Sequence, residues 1–144
     1  MADKKTRILI VGGGFGGLYT ALHLEKTLAR DPDVEVTLVN RENFFLFTPM
    51  LHEVAASDLD MTHIVNPVRK LLRRVRFFEG DVESIDLASS RVHVSHGQEH
   101  HHHELEYDHL VIARWLNPKR WKKRPKVASF FPTRPPKSGR CRAR

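Results

Sequence analysis

The sequence predicts an α/β fold, in which helices pack on a parallel sheet. Two observations lead there. Residues 7–40 read in order as strand, glycine-rich turn, helix and strand, which is a βαβ unit. The whole chain has 144 residues, 40% apolar and 28% charged, the size of one domain or part of one with an ordinary globular balance. That composition excludes a collagen, a disulfide scaffold and global disorder. The longest apolar run is a few residues, too short for a transmembrane helix. Ile8-Leu9-Ile10-Val11 is also too short for a signal-peptide core, so export is not expected. The single Cys141 has no internal disulfide partner, which fits a cytoplasmic setting.

Each element has its own local reason. Arg7–Val11 is apolar and β-branched, the pattern of a short buried strand. Gly12-Gly13-Gly14-Phe15-Gly16-Gly17 follows, and then Leu18, Leu22, Leu24 and Leu28 hold one helical apolar face. Ala21 is small enough to lie near a sheet. Val34–Asn40 alternates as the second strand. The glycines therefore form Gly12-x-Gly14-x-x-Gly17 where a dinucleotide site needs it. Gly12 permits the tight turn, Gly14 lets a pyrophosphate approach the backbone, and Gly17 lets helix and strand pack closely. The helix N-terminus offers free N–H groups and a positive dipole to phosphates. A lone G-x-G-x-x-G is weak, but here the flanking strand, helix and second strand are all in place. A glycine-rich surface loop would not explain why the apolar period changes from strand to helix across it.

The acid expected at the end of the second strand is absent. Asn40 stands there, followed by Arg41 and Glu42. An amide bonds a ribose diol without the strength of a charge-assisted contact. Arg41 stacks on an adenine, meets a phosphate, or is simply a solvated strand-end arginine.

Ile8–Leu18, then Val36-Thr37-Leu38-Val39-Asn40-Arg41, then Phe44–Leu51 resemble the start of a type II NADH dehydrogenase. This is the FAD-dependent NADH:quinone oxidoreductase of the pyridine nucleotide-disulfide oxidoreductase-like superfamily. The resemblance continues through Asn66–Leu72, read as a short amphipathic helix, and Glu79–Asp86, read as a strand turning into a small meander. It ends at Tyr107–Ala113 and covers about three quarters of the chain, from Thr6 to Ala113.

The resemblance implies a Rossmann-like, FAD/NAD(P)-binding three-layer fold, incomplete here, with a β-meander around residues 75–107. It implies that the first dinucleotide fold holds FAD, and that a second, later fold binds NADH in the full-length family. Gly12, Gly14, Phe15 and Gly17 would then meet the pyrophosphate, and Asn40 and Arg41 the adenosine. Pro49 would lie near the flavin, Val82 would touch the adenine through its backbone, and Ala113 would close the site. Phe44, Phe45 and Phe47 serve equally well as core packing. The flavin carries the chemistry, so no catalytic side chain is assigned and the partners NADH and quinone belong to the full-length family. In that family the protein would also sit peripherally at the cytoplasmic membrane face.

Six histidines, His23, His52, His63, His93, His96 and His109, are scattered singly. His100-His101-His102-His103 reads as a solvated hairpin tip of the meander, with a metal site as the alternative, since consecutive imidazoles do not all converge on one tetrahedral ion.

The net charge of +7 averages two unlike segments. Residues 1–113 carry 12 Lys/Arg against all 17 Asp/Glu, whereas residues 114–144 carry 12 Lys/Arg and no acid. Where the family continues with a small residue, Gly and Ser, this chain has Arg114-Trp115-Leu116-Asn117. The codon for Trp115 is TGG, and reading one base later turns it into glycine; the next shifted codon can be serine. The Pro/Arg-rich tail is therefore expected to be disordered and out of frame. The leading expectation is an FAD-binding N-terminal part of such an oxidoreductase, inactive alone. The rival is a stand-alone Rossmann-like nucleotide-binding module whose basic tail binds polyanions.

Overall fold

A computed structural model describes residues 5–97 and 101–113, so the expectations for residues 114–144 lie outside the described residues. Strand β1 (Thr6–Val11) runs through the glycine turn into helix α1 (Phe15–Lys26), and β2 (Val34–Asn40) returns beside it. The antiparallel pair β3 (Phe44–Leu46) and β4 (Val65–Pro67) flanks the short helix α2 (Leu51–Ala55). After the single-turn helix α3 (Val68–Leu71) come β5 (Arg76–Glu79), β6 (Asp81–Asp86), β7 (Arg91–His96), β8 (His101–Glu106) and β9 (His109–Ile112).

The central sheet has the order β5-β2-β1-β9, and every neighbouring pair is parallel. Side chains on a strand alternate between faces, so a sheet covered on both faces needs apolar residues at consecutive positions. Strands β1 and β2 meet that need. Ile8, Ile10, Val36 and Leu38 pack on one face against Leu18 and Ala21 of α1 and against Phe45, Val68 and Leu72. Leu9, Val11 and Val39 pack on the other face against Val82, Ile85, Val92, Val94 and Tyr107. The second cluster belongs to the antiparallel sheet β6-β7-β8 and the segment that leaves it. The expected α/β architecture is thus present, as helices, parallel sheet and antiparallel sheet in three layers. Among the described residues, no helix is long and apolar enough to cross a membrane.

Several local expectations shift. Helix α1 stops at Lys26, where Thr27 leaves helical geometry (φ −108°, ψ −86°) and its hydroxyl donates to the His23 carbonyl at 2.9 Å. Leu28 is left 46% exposed in a 3-10 turn rather than on the apolar face. Asn66 and Pro67 are strand, not helix, since a residue before proline is pushed to extended backbone. Helix begins only at Val68. The region expected as a meander at 75–107 divides, because Arg76–Glu79 pairs with β2 and only residues 81–106 form the antiparallel sheet.

Three of the four consecutive histidines are strand, not hairpin tip. His101, His102 and His103 lie on β8, paired with His96, Ser95 and Val94, while His100 lies outside the described residues. His102 Nδ1 approaches Glu83 at 3.3 Å and the His103 ring meets Phe78 edge-on at 5.4 Å. Among the described residues, no group of three or more His, Cys, Asp or Glu is arranged to hold a metal ion.

Candidate functional site

The β1–α1 turn is built by two close backbone approaches. Gly12 has φ 104°, a conformation that favours glycine, and its N–H donates to the Val39 carbonyl at 2.8 Å. A Cβ built on Gly17 would stand 1.7 Å from the Gly12 carbonyl oxygen and 3.2 Å from Ala113 Cβ. Any other residue at position 17 would force the helix off the strand.

Gly14 has a different environment. It is the residue before α1, with φ −74° and ψ −169°, and a Cβ there would meet nothing within 4 Å. Its carbonyl accepts from Leu18 N–H at 2.9 Å, so the helix is wound from its first turn. No side chain caps that end of the helix and no acid lies in the first turn. The opening N–H groups of a helix lack intrahelical partners and carry the positive end of the dipole. The space beside Gly14 at this end of the helix is open.

Asn40 ends β2 beside this turn. Its Oδ1 accepts Gly13 N–H at 2.9 Å, its Nδ2 donates to the Glu42 carbonyl at 2.9 Å, and its own carbonyl accepts Gly80 N–H at 2.9 Å. Phe15 meets the rings of Phe45 at 5.0 Å and Phe47 at 5.5 Å, both edge-on. That contact ties the helix start to β3. Between these elements lies a groove of about 440 Å³ lined by Gly13, Gly14, Phe15, Asn40, Glu42 and the Phe44–Leu46 strand with Thr48. It opens at the carboxyl ends of β1 and β2, where β2 leaves β1 on one side and β9 flanks it on the other. Open α/β sheets bind ligands at such a reversal of strand order.

The residues singled out in the sequence fall into three sets. Gly12, Gly14, Phe15, Gly17 and Asn40 surround one turn. Ala113 joins them, since its N–H donates to the Val11 carbonyl at 2.8 Å and its side chain faces Gly16 and Gly17. Arg41 and Pro49 stand further out. Arg41 points an exposed side chain at Glu42 (Nε to Oε1, 2.9 Å), and Pro49 lies in a 3-10 turn next to Thr48. Val82 is buried in the antiparallel layer, paired with Val94 just before a register shift. Its side chain is core, while the chain reaches it through Gly80, which is bonded to Asn40.

Sequence reasoning missed Gly13 and Gly80 as contacts of Asn40. The run of three glycines was the available signal for the first. A lone glycine between two strand patterns signalled the second, where a Cβ would meet Val94 at 2.5 Å.

The titrating groups with displaced pKa values lie elsewhere. The Arg7 guanidinium holds the Glu106 carboxyl below the usual range, first by hydrogen bonding and then by charge. Backbone donation from Thr62 lowers Asp60, and burial raises Tyr107. None of these lines the groove. A second cavity of about 450 Å³, between the two sheets, is rimmed by Arg7, Arg76 and Arg91 with Glu35, Glu104 and Glu106. Every one of those arginines is already ion-paired to a glutamate of the rim, so the rim is internally neutralised.

Residues 6–121 match the family model described as pyridine nucleotide-disulphide oxidoreductase. The chain is 30% identical over 115 residues to the type II NADH:quinone oxidoreductase of Staphylococcus haemolyticus, a match spanning 78% of this chain and 27% of that protein. It is 37% identical over 116 residues to the demethylphylloquinone reductase NdbB of Synechocystis sp., spanning 78% and 28%. Among solved structures, the sulfide:quinone oxidoreductase of Aquifex aeolicus superposes with TM-score 0.61 at 30% identity, covering 74% of this chain and 24% of the other. The NDH2 of Plasmodium falciparum shares the fold, with TM-score 0.66 at 24% identity over 75% of this chain and 22% of that one. The chain thus spans about a quarter of the length of the relatives it matches.

Proposed function

The chain belongs to the pyridine nucleotide-disulphide oxidoreductase family, and from that premise we propose that its described residues form the FAD-holding unit of an NADH:quinone oxidoreductase-like flavoprotein. The observation that carries this reading is the fit of the groove to a dinucleotide. Backbone N–H groups at the start of α1 are uncapped, the Gly14 backbone is open for 4 Å around a would-be Cβ, and aromatic side chains wall the groove. A pyrophosphate needs those donors and that approach.

In this reading Gly12, Gly14, Phe15 and Gly17 hold the pyrophosphate, by position or through main-chain donors. Asn40 and Arg41 stand at the adenosine end, with the Val82 backbone beyond them. Pro49 and Ala113 flank the flavin end. When bound, FAD supplies hydride and electron transfer, and the chain's own residues bind and orient it. No side chain is assigned as acid, base or nucleophile. NADH and a quinone are reactants of the longer architecture. The sequence contains one G-x-G-x-x-G, which this reading gives to FAD.

Titration of the 144-residue chain with FAD, followed by flavin fluorescence, tests the reading. Saturable quenching that NAD does not compete away is expected. Tight NAD binding without FAD binding overturns the cofactor assignment. With FAD added, NADH oxidation by a quinone should stay at the rate of free FAD, and turnover well above it would show a complete enzyme.

A further inference from the structure

We propose that Asn40 is a strut of the glycine turn and that Glu42 supplies the carboxylate for the adenosine ribose diol. The inference rests on the reading of the groove as a dinucleotide site. The end of the second strand is where an acid ordinarily takes the ribose hydroxyls, and here that position holds an amide already engaged on two sides. Its oxygen accepts Gly13 N–H and its nitrogen donates to the Glu42 carbonyl, both at 2.9 Å. A Cβ on Gly13 would stand 2.8 Å from the Asn40 amide, so the amide packs against the turn at the wall of the groove.

An aspartate at position 40 could accept from Gly13 but could not donate to the Glu42 carbonyl. Two acceptors would then oppose each other. The amide is therefore suited to folding residues 41 and 42 back over the end of β2. That fold sets Glu42 on the groove wall, where it is the one charged residue among the described lining residues. Arg41 Nε donates to Glu42 Oε1 at 2.9 Å and leaves Oε2 available. A vicinal diol presents two O–H donors, and an ionised carboxylate accepts both with charge assistance. The Asn40 amide, with one lone pair and one N–H left, offers a single neutral contact of each kind. Arg41 in this arrangement is a positioning residue.

Calorimetric titration of the full chain with ADP and with 2′,3′-dideoxy-ADP tests the assignment, with FAD titrated in parallel and thermal melts recorded for every variant. Deleting the diol should weaken binding to the native chain about tenfold, the scale of hydrogen bonds to a charged group. Glu42→Gln should bind ADP about tenfold more weakly and lose its sensitivity to the diol. Glu42→Asp, which keeps the charge but shortens the reach, should lose most of that sensitivity. Asn40→Asp should melt lower than the native chain without binding ADP more tightly. Diol sensitivity that survives in a folded Glu42→Gln or Glu42→Asp chain overturns the inference, as does tighter ADP binding by Asn40→Asp. A native chain that binds FAD but ignores the diol overturns this inference alone. One that binds neither FAD nor ADP overturns the cofactor reading with it.

Discussion

Two glycines of one motif have opposite reasons to be glycine, and substitution separates them. At Gly14 the backbone is unstrained and a side chain meets only open space. Gly14→Val should therefore fold, at a cost of about 1 kcal/mol for a poor residue at the helix N-terminus, while filling the approach to the phosphate donors. Circular dichroism should be native and FAD quenching lost; unchanged quenching would place the phosphates elsewhere. At Gly17 a Cβ falls 1.7 Å from the Gly12 carbonyl. Gly17→Ala forces strand and helix apart and should lower the unfolding free energy by about 3 kcal/mol, the upper range of overpacking, read from the denaturant midpoint. The close helix–strand packing expected at Gly17 is present, and the space beside Gly14 is open. The sequence motif alone could not show that the Gly13 N–H is taken by Asn40, because that contact joins residues 27 positions apart.

At the scale of elements, legibility tracked length and period. Strand β1, helix α1 and β2 each carry several apolar residues at one spacing, and each forms where the sequence placed it, except that α1 ends at Lys26, short of Leu28. Strands β3 and β4 have three residues each and pair across α2, so no local period marks them. The histidine run misled for the same reason: its place on β8 comes from pairing with Ser95 and Val94, not from its own preference. The core of the helix-side layer depends on the periodic elements. Leu38 in β2 is 0% exposed between β1 and β5. Leu38→Ala should cost about 2–5 kcal/mol through lost burial and the cavity left behind, with a matching drop in urea midpoint.

The whole molecule is held across its layers partly by charge. Arg7 on β1 binds Glu106 at the end of β8 at 2.7 Å, and Arg91 on β7 binds Glu106 at 3.1 Å and Glu104 at 3.0 Å. These groups are partly exposed, so the network's contribution is modest and salt-sensitive. Its pH dependence is nevertheless defined. The folded state lowers the Glu106 carboxyl, chiefly through the Arg7 hydrogen bond. The stabilisation is present above the ordinary glutamate range and is lost as pH falls through the lowered folded value. Glu106→Gln should therefore be less stable than the native chain at neutral pH, and the gap should close as pH falls below the ordinary glutamate range. Urea midpoints at several pH values measure it, and a gap independent of pH would remove Glu106 from the network.

The sequence by itself determined the class of fold, the glycine turn between β1 and α1, and the family. Those follow from information carried within a few residues: a strand period, a helical period, and glycines where backbone must approach backbone. The tertiary structure decided what Asn40 does. The meaning of an amide at the end of β2 depends on Gly13 and Gly80 arriving beside it from two distant segments, and on Glu42 two residues further along. Tertiary packing also decided that β5 joins the parallel sheet while β6 turns away from it. A strand's own residues specify an alternating face, but the partner that satisfies its backbone is chosen by the whole chain.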